Sequence, residues 1–155
     1  MTGAGKGLVV DGRPMLGEGA KSLLILGEEL LKNVPALDPA AAEQPYCYLT
    51  TTGRVSGEPR EIEIWFGLVG RTVYLLSGGG DRSQWVRNLR HEPAVTVRIA
   101  GTTWRGRARV VEDADEDERA RALLVDKYAP GYSGDLDGWR RRALPVAIDL
   151  EASDD

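Results

Sequence analysis

Apolar positions recur with a helical period early in the chain and with a period of two from Tyr46 onward. Leu23, Leu26, Leu30, Leu31 and Val34 share one face of an amphipathic helix over residues 22–34, and Pro35 ends it. PALDPAAAEQP then reads as a linker. Five strand signals follow in YCYLTTT, REIEIWF, TVYLLS, AVTVRIA and TWRGRARVV, and LPVAIDLE supplies a sixth near the end. The first two are joined by turn chemistry in GRVSGEP and form a hairpin; Gly70 and Arg71 turn the chain into the third. Strands in short hairpins with few intervening helices predict an antiparallel sheet, and six of them in one small domain predict closure into a barrel.

Two helices interrupt the strands. After SGGG, Asp81 is placed as an N-cap with Gln84 three residues on, and Trp85, Val86 and Leu89 share a face before Pro93. The second begins near Ala114, capped by Asp113 with Glu116 at the box position. Asp115 with Arg119 and Asp117 with Arg121 support it, and Ala120, Leu123, Leu124 and Tyr128 form its buried face. The domain reading is therefore 1–44 for tail, helix and linker, and 45–152 for the barrel.

At 155 residues, with 42% hydrophobic and 28% charged positions, one ordinary globular domain is expected. No apolar run approaches a membrane span and no secretory pattern opens the chain, which predicts a cytoplasmic protein without stable membrane insertion. A net charge of -4 argues against nucleic-acid binding. GAGKG near the start lacks the spacing of a phosphate loop and the strand before it. Cys47, the single cysteine, sits among strand formers and reads as a buried inert thiol; His91, the single histidine, sits at a helix end. Neither supplies clustered metal-ligand spacing, so no metal is expected.

Candidate binding chemistry concentrates in two stretches. In GRVSGEPR, Arg54, Ser56 and Arg60 offer donors suited to a phosphate or carboxylate, or else decorate a solvated hairpin tip. In SGGGDRSQW, three glycines bare the main chain beside a strand end, and Arg82 and Ser83 extend the donor surface. Arg105, Arg107 and Arg109 share one strand face, read as a ladder beside an acidic second strand where Glu61 or Glu63 pairs with it. Trp65 and Phe66 are core, or one of them walls a planar ligand.

LTTTGRVSGEPR, SGGGDRSQWVRNLRHEPAV and the ending KYAPGY...WRRRALPVAIDLE resemble the deazaflavin (F420)-dependent, nitroreductase-like proteins of the FMN-binding split β-barrel superfamily. The resemblance runs from about Tyr46 to Glu151. It implies a six-stranded antiparallel split β-barrel with flanking helices, mainly β with α, that holds coenzyme F420, with FMN as the alternative. It also implies hydride transfer from F420H2 to an electron-poor small molecule such as a quinone, nitro or enone compound. A non-catalytic flavin- or lipid-binding module, or an FMN-dependent oxidase or reductase, is the alternative. Homodimerisation is left open.

Carried over by residue, the resemblance places the coenzyme's tail on Arg54, Ser56 and Arg60 and its ring along Glu63, Ile64 and Trp65. Ser77, Gly78, Gly79 and Gly80 give backbone contacts, and Arg82, Ser83, Trp85 and Asn88 complete the pocket. Resembling members often carry lysine where this chain has Val55 and Gly78, so anion binding rests on Arg54, Arg60 and Arg82. Tyr128 and Tyr132 are candidates for the substrate pocket, Tyr128 also being readable as the last core residue of its helix. No catalytic acid or base is assigned, because the cofactor carries the hydride.

Overall fold

The computed structural model describes residues 37–132 and 134–153; the helix expected over 22–34 lies outside them. The linker contains a 3-10 turn, Pro39–Glu43, whose N-cap Asp38 accepts from the Ala40 N–H at 2.9 Å. Seven strands follow: β1 (Cys47–Thr52), β2 (Pro59–Ile64), β3 (Gly67–Val69), β4 (Thr72–Ser77), β5 (Ala94–Ile99), β6 (Thr102–Val110) and β7 (Leu144–Ser153). The helices are α1 (Gln84–His91), α2 (Ala114–Tyr128) and α3 (Leu136–Arg142). No helix among the described residues is long and apolar enough to cross a membrane.

All pairings are antiparallel, in the order β2-β1-β5-β6-β7-β4-β3. The expected count of six strands is thus corrected to seven. Gly67–Val69, between the second strand signal and the turn at Gly70 and Arg71, is a short strand that pairs with β4 through Gly67↔Tyr74 and Val69↔Thr72. Three residues are too few to show a period, so only the partner strand defines this one.

The extra strand determines the architecture. β2 and β3 lie at opposite edges of the sheet, yet only Trp65 and Phe66 join them. Three residue steps from Ile64 to Gly67 span at most about 11 Å, little more than two inter-strand spacings. The two edges therefore converge at Trp65 and Phe66, and the sheet curls into a split barrel joined there.

Alternation fills the interior. Cys47 and Leu49 of β1, Val73 and Leu75 of β4, Val97 of β5 and Val146 and Ile148 of β7 are fully buried, as are Phe66 and Val86. The other face of β4 is covered by α2, where Leu76, Leu124 and Ala143 form a second cluster flanked by Tyr74, Leu123 and Trp139. Gly67 lets α2 approach closely here, since a Cβ would stand 2.4 Å from Leu123 Cδ2 and displace that side chain.

The last turn of α2 clamps the junction. Lys127 Nζ donates to the Phe66 carbonyl at 2.9 Å and lies 3.7 Å from the centre of the Phe66 ring. The Tyr128 hydroxyl accepts from the Phe66 N–H at 3.0 Å and donates to the Pro45 carbonyl at 2.8 Å. Burial pushes the Cys47 thiol up to about 12, in keeping with an inert core cysteine, and draws the Lys127 ammonium down to about 8.

Two local expectations are corrected. Asp81 does not cap α1: it lies inside a 3-10 turn, Gly80–Arg82, and Ser83 is the N-cap without a side-chain hydrogen bond. Its hydroxyl is engaged instead by Ser77 Oγ at 2.7 Å. The arginine face of β6 does not meet β2, because β1 and β5 stand between them. Arg109 pairs with Glu116 and Asp149, each at 2.8 Å, and Glu61 pairs with Arg98 of β5 at 3.2 Å. The α2 cap forms as expected, Glu116 N–H to Asp113 Oδ2 at 2.9 Å. Arg121 meets Asp117 at 2.5 Å, while no ion pair joins Asp115 to Arg119.

Candidate functional site

The register of the first hairpin lays a track along β2. Arg60, Ile62 and Ile64 oppose Thr51, Leu49 and Cys47, three buried residues, and so share the interior-facing side of an edge strand. Four residue steps at about 3.3 Å each make this track about 13 Å long. A cavity lies at each end, with Arg60 and Ile62 lining one and Ile64 the other.

The hairpin-end cavity, about 370 Å³, is walled by Arg54, Val55, Ser56 and Arg60 from the hairpin, and by Gln84, Trp85 and Asn88 from α1. Arg54 Nη1 donates to Asn88 Oδ1 at 2.9 Å and Nη2 to Gln84 Oε1 at 2.7 Å, while its backbone N–H meets the same Oδ1 at 3.1 Å. Asn88, buried, donates in turn to Thr51 Oγ1 at 3.2 Å. Asn88 therefore docks α1 on β1 and aims Arg54. Arg60 Nη2 donates to Ser56 Oγ at 3.1 Å. All these acceptors are neutral. Among the described residues neither guanidinium has a carboxylate partner, which leaves two uncompensated positive charges at one cavity.

The junction-end cavity, about 420 Å³, is aromatic. Ile64 and Trp65 enter from the end of β2, Tyr46 from just before β1, Leu76 from β4, and Leu136 and Trp139 from α3. Trp65 stacks flat on Tyr128, rings 4.1 Å apart and 3° from parallel. Tyr132 and Trp139 meet Trp65 edge-on at 5.5 and 5.6 Å. Glu63 and Asp135 complete the lining.

Residues 77–83 run from Leu76, on the wall of the aromatic cavity, to Gln84, on the wall of the cationic one. The Ser77 hydroxyl is buried, donating to the Gly80 carbonyl at 2.8 Å and sharing a hydrogen bond with Ser83. The three glycines differ in role. A Cβ at Gly79 would stand 2.6 Å from Ser83 Oγ; Gly80 has φ +64°; Gly78 has room, with only Trp139 Cδ1 at 3.9 Å.

The structure thus gathers Arg54, Ser56, Arg60, Trp85 and Asn88 at one cavity, and Glu63, Ile64, Trp65 and Tyr132 at the other. Ser77, Gly78, Gly79, Gly80, Arg82 and Ser83 belong to the connecting corner and line neither. Tyr128 stands behind Trp65, and burial pushes its hydroxyl up to about 12. Sequence reasoning missed Tyr46, Leu76, Gln84, Asp135, Leu136 and Trp139. Trp139 carried a signal, a large aromatic in the glycine-containing stretch APGYSGDLDGWRRR that also holds Tyr132. The others depend on how α3 and the hairpin fold back.

The two ends of β2 thus differ in chemistry, guanidiniums at one and a flat aromatic wall at the other. The family described as F420H(2)-dependent quinone reductase matches residues 36–151. A solved F420-H2 dependent reductase is 27% identical, with a TM-score of 0.54 over 76% of this chain and 99% of its own. A structure described as an F420 reductase is 21% identical, with a TM-score of 0.57 over 77% and 98%. The haem storage protein HutZ from Vibrio cholerae, 16% identical, has a TM-score of 0.59 over 72% and 84%. The last two share the fold alone, and a fold does not choose its ligand.

Proposed function

The chain belongs to the F420H2-dependent quinone reductase family, and we propose that it reduces a quinone, nitro or enone compound at the aromatic cavity. One observation carries this reading. β2 links a cavity with two guanidiniums that have no carboxylate partner among the described residues to an aromatic cavity about 13 Å along the strand, Arg60 and Ile62 lining the first and Glu63 and Ile64 the second.

When bound, the coenzyme supplies a hydride to an electron-poor centre. Arg54 and Arg60 hold the anionic tail, with Ser56 orienting Arg60 and Asn88 and Gln84 orienting Arg54. No side chain caps the start of α1, so its first N–H groups, beside Gln84 and Trp85, add positive potential to the same cavity. Trp65, backed by Tyr128, forms a fixed wall for the ring. Ile64, Leu76, Leu136 and Trp139 exclude water, and Tyr132, 48% exposed, stands over the mouth as a cover for substrate.

Parallel titrations with F420 and FMN, followed by ring fluorescence, test the binding. Tighter binding of F420, together with oxidation of F420H2 by menadione, is the expected result. Absence of F420 binding at high micromolar concentration, or yellow protein on purification, refutes the reading. Homodimerisation is included in the proposal, and light scattering distinguishes 16.9 kDa from twice that mass.

A further inference from the structure

The two ends of the track differ in charge as well as in shape. Among the described residues the hairpin end is lined by two guanidinium-bearing side chains and no carboxylate-bearing one, and the aromatic end by Glu63 and Asp135 and no lysine or arginine. Glu63 accepts from the Tyr48 hydroxyl at 3.1 Å, and Asp135 from the Gly138 N–H at 2.8 Å. The Arg142 guanidinium is the cation paired with Asp135, at 3.9 Å between exposed side chains, a weak and screened interaction. In the same lining Tyr132 and Trp139 each meet the Trp65 ring edge-on. Aromatic faces carry negative potential and attract cations. An anionic substrate would meet two carboxylates in an aromatic lining there, whereas a cationic one is matched by both.

We propose that the aromatic cavity selects electron acceptors that are flat and positively charged, with Glu63 and Asp135 as the specificity-determining residues. This rests on the hydride-transfer reading of the same site and adds the charge of the substrate to it. A quinone acceptor gains the hydride and one proton that oxidation of F420H2 to F420 releases, and leaves as the hydroquinone. A quaternary ammonium group on that quinone keeps its charge throughout, so the cavity acts on it at binding and in the transition state alike.

The test uses one naphthoquinone carrying either a trimethylammoniumpropyl or a sulfopropyl side chain, which leaves the redox centre the same. Quenching of tryptophan fluorescence gives the affinity of each without coenzyme, and F420H2 oxidation gives kcat/KM. A unit charge about 6 Å from a carboxylate at a protein surface makes a preference of about tenfold for the cation the expected result. The preference narrows with added salt. Asp135→Asn retains an N-capping side chain and Glu63→Gln retains an acceptor for Tyr48, so each variant removes charge with little else. Each is expected to reduce the cation-to-anion ratio by about threefold or more. Equal binding of the two quinones, preference for the sulfonate, or ratios unchanged in both variants overturns the charge selection. Charge-selective quenching without oxidation of F420H2 by either quinone refutes the hydride reading and upholds the selectivity of the cavity.

Discussion

Replacing Arg54 and Arg60 together by alanine tests the cationic end of the track. Among the described residues each guanidinium has no carboxylate partner and donates only to neutral side chains, so an arriving phosphate or carboxylate displaces no charge seen there. A charge-assisted hydrogen bond contributes about 1.5–3 kcal/mol, with the lower end appropriate to a cavity open to solvent. Arg54, half-buried and held from two sides by α1, is assigned about 2 kcal/mol, and exposed Arg60 about 1 kcal/mol. The sum, about 3 kcal/mol, raises the F420 dissociation constant by roughly a hundredfold. The fold tolerates the change, because the backbone N–H of residue 54 still reaches Asn88 Oδ1 and Asn88 still reaches Thr51. Fluorescence titration of F420 is the assay, with circular dichroism as the check on folding. Arg87→Ala, on the exposed face of α1 and outside both cavities, serves as the charge control. A folded double variant whose affinity falls by less than about threefold, or no more than that of the control, refutes the tail assignment.

Other consequences concern the scaffold. Tyr128→Phe leaves the buried junction without its acceptor for the Phe66 N–H, and a loss of about 1–2 kcal/mol in urea unfolding is expected. Gly67→Ala drives a Cβ into Leu123 and costs about 2 kcal/mol by the same measurement. Ala100 has φ 53° beside Gly101 at 88° in the β5–β6 turn, so Ala100→Asn supplies the residue such a turn favours and stabilises by about 0.5–1 kcal/mol. Glu116 is held at about 2, chiefly by Arg109 and then by the Tyr74 hydroxyl, against an ordinary 4.5. A depressed carboxylate contributes stability above its unfolded value that is lost as pH falls, so wild type weakens from 4.5 toward 2. Glu116→Gln is expected to flatten that part of the pH–stability curve.

Features set by neighbours in sequence were legible from the chain. Asp113 caps α2 because its acceptor lies three residues from the N–H it serves, and the β1–β2 hairpin closes because glycine and polar residues sit between two alternating runs. The arginine face of β6 was legible as a face but not by partner. Alternation orients side chains without naming the adjacent strand, and the order β2-β1-β5-β6 keeps Glu61 and Glu63 away from Arg105, Arg107 and Arg109. In the candidate site, the hairpin donors stood out as arginine and serine in a turn, residues that suit a solvated tip as well as an anion. Asp135 and Leu136 did not, and Trp139 showed only as an aromatic close to Tyr132 in sequence, since α3 follows a glycine-containing stretch with no period to read.

The glycine corner shows why local reading fails where one residue type serves several constraints. Three consecutive glycines suggest either a sharp turn or a ligand against bare main chain; in the structure one packs against Ser83, one makes a left-handed turn and one leaves space beside Trp139. The same limit applies at Trp65 and Phe66, whose positions depend on Lys127 and Tyr128 about sixty residues later in the chain. These two residues close the barrel and also place the aromatic wall. Loosening that clamp should therefore weaken ring binding together with fold stability, whereas loss of Arg54 and Arg60 should weaken binding alone.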